Sequence, residues 1–186
     1  MAMGTAESRY RQLEQSRQSF LDRARDCSEL TIPSLIPPDV HNETSDLYQP
    51  YQGIGARGVN NLASKLSLAL MPPNSPFFRF MVEPYTLKDM APDDAARTEV
   101  EQQLGEYERA VMSEIETSGD RVAVHEAIKH LIVGGNVLLQ VGADKTRVIH
   151  LDSYVVSRAP NGEVLEIVTV EHVSPNALDK TTARNI

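Results

Sequence analysis

Residues 51–83 read YQGIGARGVNNLASKLSLALMPPNSPFFRFMVE, and two very different molecules can be built around them. Gly53, Gly55 and Gly58 spell G-x-G-x-x-G. An apolar-periodic helix follows, then a break at Pro72-Pro73, then an aromatic segment ending in Glu83. A dinucleotide-binding turn needs a buried strand just before it, so that a helix N-terminus is aimed at the pyrophosphate. Residues 45–52 are polar and carry Pro50, which disfavours a central parallel strand. Glu83 does stand near where a ribose-binding acid belongs. No further βα units follow to build the second half of such a fold. The plainer reading is that the glycines permit tight turns before a packed helix, since the bare motif is weak without its strand. A nucleotide-binding enzyme using Gly53, Gly55, Gly58 and Glu83 is the first rival reading. A stand-alone adaptor or scaffold protein is the second.

Upstream, residues 5–27 predict a polar amphipathic helix with Tyr10, Leu13, Phe20, Leu21 and Ala24 near one face. Thr5 is placed to cap it, with Glu7 favourable in its first turn. Thr31–Pro50 carries Pro33, Pro37, Pro38 and Pro50 and predicts an extended connector. Within the opening stretch, Val59, Leu62, Leu66 and Leu70 recur at helical spacing over residues 56–71. Phe77–Val82 is short and aromatic, which predicts a strand, and Thr86–Pro92 a loop.

Downstream, Val100, Leu104, Tyr107, Val111 and Ile115 make one stripe on a helix over residues 94–117. Thr98 with Glu101 would form a capping box if that helix started late. Asp93, Asp94, Glu99 and Glu101 give it favourable N-terminal charge. Ser118-Gly119-Asp120 breaks it, and residues 120–133 form the next helix, with Val124, Ile128, Leu131 and Ile132 inward and Gly134-Gly135 as its stop. The period then switches to two. Asn136–Val141 and Arg147–Leu151 read as strands around a turn at Gly142–Lys145. Tyr154–Ser157 and Glu163–His172 flank Pro160-Asn161-Gly162, a strong hairpin signal. The last strand does not alternate cleanly, which points to a bulge or to burial on both sides. Ser174-Pro175-Asn176-Ala177-Leu178 looks like a new helix start with no body, as if the chain were cut before a natural boundary. The expected class is α+β: helices first, then an antiparallel meander. Its parts are residues 1–50 (helix plus connector), 51–135 (helical with one strand) and 136–173 (meander).

Composition narrows the function. The chain has 186 residues, 41% of them hydrophobic, enough for a core. Its formal net charge of −8 argues against a surface that grips nucleic-acid phosphates, though not against one that DNA slides past. Trp is absent and aromatics are 5%, so a base-stacking platform is not expected. The start MAMGTAESRYRQ lacks a signal-peptide apolar region, and the longest apolar patches are too short to span a bilayer. Cys27 is the single cysteine, so there is no intrachain disulfide and no multi-thiolate metal site. It stands beside Asp26 and Glu29, a setting that does not favour a reactive thiolate. His125 and His130 lie about 140° apart on their helix, whereas a helical metal pair wants i, i+4 spacing. His150, Asp152 and Ser153 hold triad residue types, but neighbours on a strand point to opposite faces, and Asp152-Ser153 reads better as a turn cap. Arg57, Lys65 and Arg79 are scattered cations, most simply solvated or paired. No catalytic, cofactor or metal site is expected.

Longer strings carry more information than these short motifs. GARGVNNLASKLSLALMPPNSPFFRF (55–80), HLIVGGNVLLQVGADKTRVIHLDSYVVSRAPNGEVLEIVTVEHVSP (130–175) and RYRQLEQSRQSFLDRARDCSELTIPSLIP (9–37), with its Thr31-Ile32-Pro33 exit, follow one another in order. Together they resemble the portal proteins, or head-to-tail connectors, of short-tailed, podovirus-type bacteriophages. The resemblance covers nearly the whole chain. It implies a structural, non-enzymatic subunit of a homo-oligomeric ring, usually a dodecamer in the full-length form, at one capsid vertex of the virion. Double-stranded DNA passes through such a ring during packaging and ejection. The implied partners are capsid and scaffolding proteins, the terminase motor and the tail adaptor, with assembly in the host cytoplasm and no membrane. By the same resemblance residues 1–186 correspond to the outer wing, and the stem, tunnel loop and clip lie beyond this sequence. DNA-contacting residues therefore cannot be assigned. A ring contact needs two different faces on each subunit, and helices 5–27 and 94–117 are candidates, although core packing is the simpler account of their apolar stripes.

Overall fold

Helical periodicity, caps and glycine breaks place most elements where the sequence puts them. The computed structural model describes residues 5–38, 46–73, 75–91, 93–142 and 145–173. The first helix, α1, spans Ala6–Glu29, and the Thr5 hydroxyl accepts from the Ser8 N–H at 3.4 Å. Leu21, Ala24 and Ser28 are its buried residues. Ser28 does more than pack. Its hydroxyl donates to the Ile32 carbonyl (2.8 Å) and accepts from the Ile36 N–H (3.1 Å). A buried hydroxyl needs such partners, and these fold the first part of the connector under the helix end. Leu35 and Ile36 thereby enter the core.

Helix α2, Ile54–Leu70, and helix α5, Asp120–Gly134, form the main helical pair. The buried residues of α2 are Val59 and Ala63, and those of α5 include Ala123 and Ala127. Small side chains let two helix axes approach closely. The leucine stripe of α2 is therefore displaced to the flank, with Leu62 and Leu66 46% and 38% exposed. The same rotation leaves Leu131 half exposed, not inward as its spacing suggests. Gly119 (φ 78°) and Gly135 (φ 69°) adopt the left-handed conformation that bounds α5 at both ends. Arg121 of α5 donates to the carbonyls of Met71 and Pro72 just past the end of α2. The Pro72-Pro73 stop is thus capped by a cation from another helix.

Two local expectations fail. Phe77–Val82 is not a strand; it bends at Phe77 and pairs with no neighbouring strand among the described residues. Its Phe80 N–H donates instead to the Glu108 carboxylate (2.8 Å). Phe78 sits edge-on between Phe77 and Phe80, with centroids 5.3 and 5.4 Å away. A strand needs a partner backbone, and a side chain of the next long helix takes that place. The expected loop at Thr86–Pro92 is largely the short helix α3, Pro84–Met90, with Pro84 at its start and Glu83 as N-cap. Proline's fixed φ suits that position. The long helix α4, Asp94–Thr117, starts early, so Thr98 lies inside it and donates back to the Asp94 carbonyl at 2.9 Å.

The architecture is α+β, helices followed by antiparallel strands. The strands make two separate hairpins. β1 (Leu138–Val141) pairs with β2 (Thr146–Ile149), and β3 (Tyr154–Arg158) pairs with β4 (Val164–Thr169). A one-turn 3-10 helix, Leu151–Ser153, separates them because Leu151 turns inward and is buried. The bulge anticipated near the last strand is present. The register slips between Ser157 and Arg158, leaving Leu165 as the extra residue, and Gly162 (φ 88°) makes the tight turn. The core joins Leu21, Ala24, Leu35, Ile36, Val59, Val133, Leu151 and Tyr154. Residues from α1, the connector, α2, α5 and the second hairpin thus meet in one cluster. Among the described residues no helix is long and apolar enough to cross a membrane. The helix start read at Ser174–Leu178 and the centre of the turn at Gly142–Lys145 lie outside the described residues.

Candidate functional site

The three glycines of the opening stretch do not act as a phosphate cradle. The residues before them, from Asp46 to Gln52, form no strand. Gly53 is the N-cap of α2 with φ −85°, a conformation open to other residues. Gly55 is the packing glycine: a Cβ there would lie 2.4 Å from the Leu30 carbonyl oxygen and 3.2 Å from Thr31 Cα. Gly58 faces open space. In a dinucleotide site the second glycine admits the pyrophosphate and the third allows close packing. Here the second is filled by α1's own exit and the third packs on nothing. Glu83 is the N-cap of α3.

These placements set opposite signs for two small changes. Gly55→Ala is expected to lower stability by about 1–3 kcal/mol, the usual cost of overpacking. Gly58→Ala is expected to raise it by about 0.5–1 kcal/mol, because alanine is the better helix former. Denaturant midpoints of the two variants check both signs. Equal and small shifts, with loss of a nucleotide affinity, would restore the cradle.

The HLDSYVV segment (150–156) is held from a distance. Tyr10 of α1 donates its hydroxyl to the Asp152 carbonyl at 2.6 Å. Arg17, two turns on, donates to the Leu151 carbonyl at 2.7 Å and to that of Asp152 at 3.5 Å. Its guanidinium also lies 6.0 Å from the Tyr154 ring centroid. Arg9 forms an ion pair with Glu166 of β4 at 2.7 Å. Burial pushes the Tyr154 phenol up to about 12, so it stays neutral. Polar side chains of α1 thus strap it to the 3-10 turn and to β4 of the second hairpin. Sequence reading placed Tyr10 on the helix face with Leu13, Leu21 and Ala24 but singled out neither Arg9 nor Arg17.

The expected triad types do not assemble a nucleophile. Ser153 donates to the adjacent Asp152 carboxylate at 3.1 Å, and both residues lie within the 3-10 helix. His150 points its ring at His130, edge-on, with centroids 5.0 Å apart. His125 instead meets the Ser67 hydroxyl of α2 at 2.9 Å. Cys27 is exposed and free. Arg57, Lys65 and Arg79 all lie at the surface.

Most informative for function is the apolar surface left over. Leu62, Leu66, Leu68 and Leu70 of α2 are each at least a third exposed. A groove between residues 79–82, α3 and α4 is lined by Phe80, Met81, Val82, Leu87, Val100 and Leu104, with Arg79, Glu101 and Glu108 also on its walls. Along α4 Met112 is buried, while Tyr107 and Val111 of the expected stripe are exposed. Core packing therefore accounts for only part of that stripe, since Val100, Leu104 and Ile115 are partly buried. Leu165 and Ile167 of β4 are exposed as well. Contiguous apolar surface of this kind marks contact with another protein segment.

The comparison of whole sequences names the group. Residues 3–186 match the family model described as bacteriophage head to tail connecting protein. The chain belongs to that family. The portal protein of Escherichia phage T7 is 39% identical over 184 residues, which are 96% of this chain and 34% of the relative. The portal protein of Enterobacteria phage T3 is 39% identical over 178 residues, 93% of this chain and 33% of the relative. That of Enterobacteria phage SP6 is 30% identical over 174 residues, again 93% and 33%. The chain thus spans about a third of the length of these connector relatives. Membership in the connector family agrees with the long strings rather than with the glycine motif.

Proposed function

We propose that residues 1–186 form the outer wing of a portal subunit, the structural element of a ring at the capsid vertex that joins head to tail and passes double-stranded DNA. The similarity to the T7 portal protein over 96% of the chain carries this reading. The ring is homo-oligomeric and non-enzymatic, and its stem, tunnel loop and clip belong to other parts of the full-length subunit. Capsid and scaffolding proteins, the packaging motor and the tail adaptor are its partners. A closed ring needs two different, complementary faces per subunit. The exposed leucines of α2 and the partly apolar groove beside α4 are two candidate surfaces for such faces. A net charge of −8 suits a wall that must not hold DNA.

The test is the mass of the full-length subunit in solution, with electron microscopy of assembled particles. A closed ring, and label confined to a single vertex, are the expected results. In Leu62→Ser/Leu66→Ser the ring is expected to dissociate while each subunit stays folded, since neither leucine is in the buried core. A full-length subunit that remains monomeric, or saturable binding of NAD(P) or FAD, would overturn the reading.

A further inference from the structure

His130 poses a problem that the portal role does not solve. It is 2% exposed, and neither ring nitrogen has a hydrogen-bond partner among the described residues. Buried polar atoms are nearly always paired, and an orphan costs about 1–3 kcal/mol. Two potential metal ligands stand beside it. Glu126 lies one helical turn earlier on α5, at the i, i+4 spacing that puts two side chains on one face. His150 follows β2 and presents its ring at 89° to that of His130. One ligand atom from each of Glu126, His130 and His150 falls within 4.8 Å of the others.

From this geometry we propose that Glu126, His130 and His150 form a binding site for a divalent transition-metal ion of the zinc class. Two imidazoles and one carboxylate are a familiar donor set for such an ion, with a fourth position for water. The outer support is present too. His150 Nδ1 lies 3.4 Å from the Leu35 carbonyl. A donor bond there leaves Nε2 free as the ligand, the arrangement that usually orients a metal-bound histidine. Glu126 and His150 are exposed, which gives the ion an entry path and lets both side chains swing in to ligand distance. The bound ion would tie α5 to the end of β2 and, through Leu35, to the connector. It would brace the wing without taking part in any reaction.

The site does not depend on the portal reading, and its test is independent of ring formation. Tag-free full-length subunit, stripped with chelator, is titrated with zinc by calorimetry and with cobalt by visible absorption. The expected result is one saturable ion per chain, with the intense visible bands of a four-coordinate cobalt site. Glu126→Gln and His150→Gln alter exposed positions and leave the fold intact by circular dichroism. Each is expected to weaken zinc binding at least about tenfold. Wild-type protein that binds neither ion saturably, or folded variants that bind as tightly as wild type, would overturn the proposal.

Discussion

Leu151→Ala is expected to cost about 2–5 kcal/mol of stability, the range for deleting a buried leucine side chain and leaving a cavity. Leu151 is 2% exposed and sits in the cluster with Leu21, Ala24, Leu35, Ile36, Val59, Val133 and Tyr154. Its Cδ2 already lies 3.4 Å from where a Cβ on Gly134 would be. The surroundings belong to separate helices, a connector and a hairpin, and cannot all collapse inward together. Leu151→Val would retain part of the contact and should lose less. Urea midpoints of the two variants and wild type measure the gradient. A loss below about 0.5 kcal/mol for alanine, the scale of an ordinary surface substitution, would show that this turn is not the keystone of the core. The second hairpin should also gain hydrogen exchange, since β3 begins immediately after Leu151.

Arg17→Met should come next, at about 2–3 kcal/mol. Methionine keeps much of the aliphatic stem but removes the donors to the Leu151 and Asp152 carbonyls. Hydrogen bonds from a charged group contribute about 1.5–3 kcal/mol, and a carbonyl left without its donor bears the desolvation cost. The cation near the Tyr154 face adds a smaller amount. Arg17→Lys should recover little of this, because an ammonium lacks the planar fork that reaches both carbonyls. Tyr10→Phe removes the neighbouring hydroxyl bond to Asp152. A double-mutant cycle between the two positions should show coupling of at least about 0.5 kcal/mol, because they act on one short turn. Additive effects would mean that α1 does not strap the turn as a unit.

These two changes also separate what was legible from what was not. The Thr5 cap, the Gly119 and Gly135 boundaries and the Gly162 turn are local features. Each is dictated by backbone sterics or by orphan amides within a few residues, so a linear reading finds them. The failures at Phe77–Val82 and Pro84–Met90 are also physical. An aromatic segment has β propensity, but a strand exists only if another backbone pairs with it, and Glu108 intervenes. Thr86–Pro92 read as a loop, yet Pro84 starts a short helix that runs to Met90. For the glycine motif, spacing alone resembled a nucleotide site. The packing of Gly55 against Leu30 removes the space a phosphate would need.

By itself the sequence determined the α+β order, the approximate limits of the four longer helices and, through its long strings, the connector family. It could do so because periodicity, capping and word-level similarity are properties of consecutive residues. Tertiary structure alone decided which stripe each helix buries. On α2 the small face of Val59 and Ala63 packs inward and the leucines remain outside, a choice set by how closely α5 can approach. It also decided that Arg17 reaches Leu151 and that His130 meets His150. Those partners come from different elements, and local sequence cannot encode a juxtaposition that exists only once the helices and hairpins have packed.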